Sequence, residues 1–143
     1  LTGDHGYALF DDFRRECPAQ YINAGIAEQN MVGMAAGLAR AGYRPIVYGL
    51  SAFIPVRVVE QIKLDIAHDK LPVILIGDGA GFVYSHLGTS HQSTEDIACT
   101  RAIASTTRSC PTTSPVSRRS PARWPTSAAV RVSEAKQVSP PGA

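Results

Sequence analysis

A doubly wound parallel α/β sheet is the fold class this chain predicts, on three observations. Apolar runs of strand length alternate with segments of helical periodicity up to residue 103. The run at 71–76 is rich in β-branched residues, too short for a helix and closed by Gly77-Asp78-Gly79, which marks a buried strand. The 143 residues suit one domain with an adequate core. Strands that read as continuous apolar runs between helices belong to a parallel sheet covered on both faces.

Each element has its own signature. Residues 7–13 form a short amphipathic segment with Phe10 and Phe13 at helical spacing, and residues 21–23 a brief extended run. Residues 26–39 form a helix ended by Gly42. Met31, Met34, Ala35 and Leu38 recur there at helical spacing and are expected to bury one face. Gly33, Ala35, Ala36 and Gly37 leave room for a second backbone to come close. Residues 44–48 read as a strand, and residues 56–68 as a helix with Val56, Val59, Ile62 and Ile66 on one face. Another helix begins at Glu95. Leu1-Thr2-Gly3-Asp4 reads as the end of a strand entering a turn, so the chain is expected to begin inside a domain and to be truncated at both ends. No basic segment leads there into an apolar stretch, as a signal peptide requires. No apolar run is long enough to span a bilayer.

The net charge of +2 hides two unlike halves. Through Ile103, eight Lys/Arg stand against eleven Asp/Glu; from Ala104 on, six stand against one. Residues 104–143 contain no Leu, Ile, Met or Phe and are dense in Ser, Thr, Pro and Arg. Such a segment buries too little apolar surface to offset its ordering entropy. It is expected to be a disordered tail or the product of a frameshift, and the organised domain to be residues 1–103. A basic tail touches nucleic acid in some proteins. Here no aromatic residues interleave with the basic ones and Trp124 stands alone, so a nucleic-acid partner is not expected. Cys17, Cys99 and Cys110 have neither metal-like spacing nor even pairing, which points to free thiols in a reducing cytoplasm.

The run Gly25-Ile26-Ala27-Glu28-Gln29-Asn30-Met31-Val32-Gly33-Met34 puts one carboxylate, Glu28, in the first turn of an otherwise apolar, small-residue helix. Taken alone, Glu28 is either a charge favoured by the helix dipole or a proton-handling group in a cleft. Preceded by Tyr21-Ile22-Asn23-Ala24 and followed by Ala35-Ala36-Gly37-Leu38-Ala39, this run resembles the pyrimidine-binding domain of the transketolase family of thiamine diphosphate enzymes. The likeness continues in order through Pro45-Ile46-Val47-Tyr48, Ser51-Ala52-Phe53, Glu60-Gln61-Ile62-Lys63-Leu64-Asp65 and Leu71-Pro72-Val73-Ile74. It ends with Gly88-Thr89-Ser90-His91-Gln92 and Glu95-Asp96-Ile97-Ala98, similar to the family's Gly-x-Thr-His motif and following helix, and runs to about Ile103.

The resemblance implies a sheet of the thiamine diphosphate-binding type and a set of roles. The glutamate matching Glu28 hydrogen-bonds N1′ of the cofactor's aminopyrimidine and favours the imino tautomer that removes the C2 proton of the thiazolium. A carboxylate shielded from water suits that task. Phe53 matches the aromatic residue that packs on the pyrimidine ring; by itself it reads as a core aromatic at a strand end. His91 matches a histidine that faces the substrate or bound intermediate; by itself it reads as a surface loop histidine. His5 is a weaker candidate near the family's first active-site loop, and His86 could line the same mouth. Gly77-Asp78-Gly79 resembles half of a magnesium–diphosphate motif. Its asparagine half is missing, since Asn23 and Asn30 are the chain's asparagines and Thr106-Thr107 fall near that distance. It therefore reads as a tight turn, with no metal site in this chain and Mg²⁺ supplied by a partner domain or chain.

Two positions depart from the family pattern. Leu87 stands where sugar-phosphate transketolases and 1-deoxyxylulose-5-phosphate synthase carry an aspartate that binds a donor hydroxyl, and Gly79 where the synthase has an arginine. A site without the acceptor loses discrimination for the hydroxylated substrate. These absences argue against a standard housekeeping enzyme and favour a split transketolase-like C-terminal subunit or a relative acting on an unusual ketose or 2-oxo acid. As a whole the resemblance implies a transketolase-like transferase, moving a two-carbon ketol unit between sugars or sugar phosphates. It is expected to be inactive without a diphosphate-binding N-terminal subunit and to work in a hetero- or homo-oligomer. The alternatives are the β subunit of a 2-oxo-acid dehydrogenase E1 component, a 1-deoxyxylulose-5-phosphate synthase-like enzyme and, in another class, a non-catalytic basic binding protein using the tail.

The tail gives the first test. If a frameshift accounts for residues 104–143, the genomic DNA read in another frame is expected to encode an apolar strand, a helix and a further strand. Sequencing decides it: no such pattern in either alternative frame overturns the frameshift.

Overall fold

The computed structural model describes residues 1–103 and the backbone of residues 106–109 and 130–135. In chain order these form α1 (Asp11–Glu16), α2 (Glu28–Arg40), β1 (Ile46–Leu50), α3 (Val59–Gln61), β2 (Ile74–Asp78), α4 (Asp96–Arg101), β3 (Thr106–Ser109) and β4 (Val130–Ala135). A 3₁₀ turn at Val56–Val58 leads into α3, and a π-helical stretch, Ile62–Ala67, continues it. The sheet has the order β1-β2-β4-β3, and every pairing is parallel. Ile46 faces Ile74 and Leu50 faces Asp78 in the β1–β2 pair. Leu1 and Thr2 lie along the outer side of β1: the Tyr48 amide donates to the Leu1 carbonyl, and Thr2 bridges both Asn23 and Tyr48. The α/β fold with a parallel sheet is the one the alternation of elements predicts.

The core lies between α2, the winding 56–67 and the sheet. Its fully buried members include Met31 and Val32 of α2, Val47 of β1, Ile62 and Ile66, and Leu75 of β2. The buried stripe of α2 is Met31, Val32, Ala35, Ala36 and Ala39. Met34 and Leu38, expected inward, are only half-buried on the flank. The small and β-branched side chains take the sheet side because they let the helix sit closer. Gly33 and Gly37 face open space instead of a close backbone. Val56 and Val59 are half-buried while Val58 is fully buried, because the change from 3₁₀ to π winding rotates the inward face.

Order was not expected after Ile103, yet β3 and β4 both join the sheet. The alternation Val130-Arg131-Val132-Ser133 has strand period two, a local signal that the composition of 104–143 conceals. Cys110, Trp124 and the rest of the proposed tail lie outside the described residues. Among the described residues, no helix is long and apolar enough to cross a membrane.

A close approach ties the sheet to the turn after β1. The Ser51 amide donates to the Asp78 carbonyl at 2.7 Å. A Cβ on Gly77 would stand 2.7 Å from the Ile54 carbonyl oxygen and 3.0 Å from Ser51 Cβ. Gly77→Ala is therefore expected to cost about 1–3 kcal/mol, the usual range for overpacking. Denaturant midpoints of the two proteins check this; an unchanged midpoint would mean that the turn yields freely.

Candidate active site

Glu28 owes its position to the segment before it. The Thr2 amide donates to the Ile22 carbonyl and the Ala24 amide to the Thr2 carbonyl, which pins residues 22–24 along the chain's first residues. Asn23 Oδ1 accepts from the Asp4 and Gly25 amides at 3.0 and 2.9 Å. The chain then turns through Gly25 into α2, whose first residue is Glu28. Gly3 closes over it: a Cβ there would meet the Gly25 carbonyl oxygen at 3.2 Å and Glu28 Cγ at 3.9 Å. The result is a carboxylate only 7% exposed at a helix start, where the dipole favours negative charge.

Its partner is Arg57, whose Nη1 donates to Glu28 Oε2 at 2.9 Å. Among the described residues, Oε1 receives no hydrogen bond. The Arg57 guanidinium also lies over the Phe53 ring, 4.2 Å from its centroid. Phe53 in turn meets His91 edge-on, with centroids 5.4 Å apart and planes at 68°. Glu28, Phe53 and His91, the three candidates from the sequence, therefore join in one chain of contacts. Arg57 is the link, and sequence reading missed it.

His91 sits on a loop drawn shut at its base, where Gly81 and Ser93 exchange backbone hydrogen bonds of 2.8 and 2.9 Å. Ser90 Oγ lies 2.9 Å from His91 Nδ1. Among the described residues Nε2 has no hydrogen-bond partner, so it is the nitrogen able to meet a ligand. Leu87, half exposed, ends the 3₁₀ turn Ser85–Leu87 on the same loop.

His5 and Asp78 belong to a second cluster. The His5 ring stacks on Tyr48, with centroids 5.5 Å apart. Its Nε2 stands 3.6 Å from Asp78 Oδ2, an electrostatic contact too long for a hydrogen bond. Tyr84 donates its hydroxyl to the same Oδ2 at 3.1 Å. Asp78 is thus buried at the end of β2 and held by side chains of its own domain. His86 lies against Tyr84, with ring centroids 6.4 Å apart. No group of three or more His, Cys, Asp or Glu able to hold a metal ion occurs among the described residues.

The family model for the transketolase pyrimidine-binding domain matches residues 2–119, past the Ile103 limit read from the motifs. One subunit of an apulose-4-phosphate transketolase from Phocaeicola vulgatus is 40% identical over 102 residues, covering 71% of this chain and 33% of that protein. A 1-deoxy-D-xylulose-5-phosphate synthase of Treponema pallidum is 40% identical over 111 residues, 78% of this chain and 17% of that one. A solved split-gene transketolase, described as an inactive β4 tetramer, superimposes with a TM-score of 0.64 at 32% identity. It covers 78% of this chain and 36% of its own. The chain belongs to the transketolase pyrimidine-binding domain family, whose enzymes depend on thiamine diphosphate. It spans a third or less of the length of the curated relatives it matches.

The Asp78 cluster makes a prediction about base. Burial first, and then the negative charge of Asp78, raise the phenols of Tyr48 and Tyr84 above the ordinary value near 10. The folded chain then holds these protons more tightly than the unfolded chain. The stabilisation is whole below about pH 10 and is lost as pH rises above it. Tyr48→Phe is expected to flatten that loss, measured as denaturant midpoints between about pH 9 and pH 11. A slope equal to wild type would remove Tyr48 from this role.

Proposed function

We propose that this chain supplies the pyrimidine-binding part of a thiamine diphosphate-dependent transferase that moves a two-carbon ketol unit between sugars or sugar phosphates. The observation that carries this reading is the placement of a water-shielded carboxylate, Glu28, in one run of contacts with Phe53 and His91. The residues fit the group. Oε1 of Glu28 is open to a donor on the pyrimidine, and Phe53 offers a flat apolar ring beside it. When bound, thiamine diphosphate supplies an acidic C2–H and the carbon nucleophile made from it.

The chain's own residues do the rest. Glu28 shares a proton at N1′ of the pyrimidine, and its burial strengthens that hydrogen bond by keeping competing water away. Phe53 packs on the ring and fixes its plane. His91 presents Nε2 to the substrate, as hydrogen-bond donor or proton carrier. The diphosphate and Mg²⁺ are held by a partner, a diphosphate-binding N-terminal subunit of the same enzyme. Relatives named as one subunit of a transketolase and as a split-gene transketolase support that division of labour. The assembly is an oligomer working in the cytoplasm.

Leu87 favours a second reading. An alkyl side chain accepts no hydrogen bond, so a donor hydroxyl at that point of the site goes unread. A 2-oxo acid as donor, as in an E1 β-type enzyme, meets no such penalty.

The test is Glu28→Gln in this chain assembled with a diphosphate-binding subunit. Glutamine keeps the size and accepts a hydrogen bond from Arg57, but it shares no proton with N1′. Exchange of the C2 proton of bound cofactor, followed by NMR, is expected to slow by about 10²–10⁴-fold, the scale of general acid–base contributions. Exchange at the wild-type rate would return Glu28 to a charge that serves the helix dipole.

A further inference from the structure

The geometry points to Arg57 as a positioning residue that locks the Glu28 carboxylate and the Phe53 ring into one preformed unit, an inference that rests on the reading above. Two contacts made by a single rigid plane carry it. Nη1 donates to Glu28 Oε2 at 2.9 Å, and the guanidinium carbon stands 4.2 Å from the Phe53 centroid. A planar fork that lies over a ring and bonds a carboxylate holds the two in a fixed relation.

The local backbone builds half of this arrangement. The Arg57 amide donates to the Phe53 carbonyl at 3.1 Å, a helical turn that sends side chain 57 back over ring 53. The other half is long-range, across 29 positions of sequence to the start of α2. Oε2 is occupied by this bond and Oε1 is left for the pyrimidine, so Arg57 also selects which oxygen does the chemistry. Stability is a minor part of its work. The Arg57 side chain is 44% exposed against 8% for Glu28, and so water screens the pair from the arginine side.

Lysine is not an equivalent. Its compact ammonium reaches the carboxylate as a point charge but cannot lie over the ring and hold that relation. Arg57→Lys is therefore expected to restore the carboxylate contact and only part of the function. Arg57→Gln, shorter and uncharged, loses both contacts.

A double-mutant cycle on the full chain assembled with its diphosphate-binding subunit tests the proposal. Two readouts are needed: the dissociation constant for thiamine diphosphate with Mg²⁺, by calorimetry, and the C2–H exchange rate of the bound cofactor. Arg57→Gln is expected to weaken binding and slow exchange by about 10–100-fold, by analogy with the loss of a partner that orients a metal ligand. Arg57→Lys is expected to fall between Arg57→Gln and wild type. Since Arg57 acts on exchange through Glu28, the double variant Glu28→Gln/Arg57→Gln is expected to exchange no more slowly than Glu28→Gln alone. Penalties that simply add would overturn the proposal, because a residue that only stabilises the fold is independent of Glu28. Wild-type affinity and exchange in Arg57→Gln, with Glu28→Gln still slow, would overturn it while leaving the cofactor reading intact. Wild-type exchange in Glu28→Gln would overturn both.

Discussion

Keeping one carboxylate out of water without letting its helix move is the constraint on which this site depends. Glu28 begins α2, and the next inward residues, Met31 and Val32, are fully buried against the core. Burying two such side chains contributes about 1.5–3 kcal/mol each. An ion pair to an arginine that reaches solvent contributes less, on the scale of exposed pairs at about 0.2–1 kcal/mol. Packing therefore decides where the carboxylate is, and Arg57 decides only how it is turned. The first residues of the chain complete the enclosure, with Gly3 against Glu28 and Asn23 holding the Asp4 and Gly25 amides.

The second side of the site hangs on one short turn. Residues 51–57 leave β1, settle on Gly49 and Gly77 where a Cβ would collide with Ile54, and wind into the helix ahead of α3. Phe53 and Arg57 are one turn apart on that winding, so a single local conformation delivers both the ring and the guanidinium. Sheet register and site geometry are coupled here. The Ser51 amide is bonded to the carbonyl of Asp78, the last residue of β2, and a slip of β2 would drag the turn with it.

What the sequence makes legible follows from the range of the interactions. The parallel sheet, the helix behind Glu28 and the end of that helix near Gly42 rest on local periodicity, and the structure has them. The three candidate side chains are readable as a resemblance and do meet in space, although their roles stand as a proposal. Arg57 was invisible because nothing local distinguishes it from any exposed arginine on a helix. Its meaning comes from a partner 29 residues away and from a non-α winding that regular periodicity cannot foresee. The same winding explains why Val58, and not Val56 or Val59, is fully buried. Strands β3 and β4 were missed for the opposite reason. Composition summed over forty residues outweighed a four-residue alternation, Val130-Arg131-Val132-Ser133, that was present all along.

The two kinds of side chain in this site stand on different supports, and that bears on how such a domain changes its substrate. Glu28 begins a helix whose inner face is core, and Phe53 sits in a turn clamped between two strand ends. Neither position yields without disturbing the packing behind it. His91 and Leu87 belong instead to the loop closed by Gly81 and Ser93, whose side chains Phe82, Val83 and Leu87 stand well exposed. Loops held at the base by a rigid frame accept substitutions that elements do not. On the reading proposed above, cofactor chemistry is fixed by the core and donor choice by the loop. A leucine in place of a hydrogen-bond acceptor then alters which substrate is read while leaving the carboxylate, its arginine and the ring as they are.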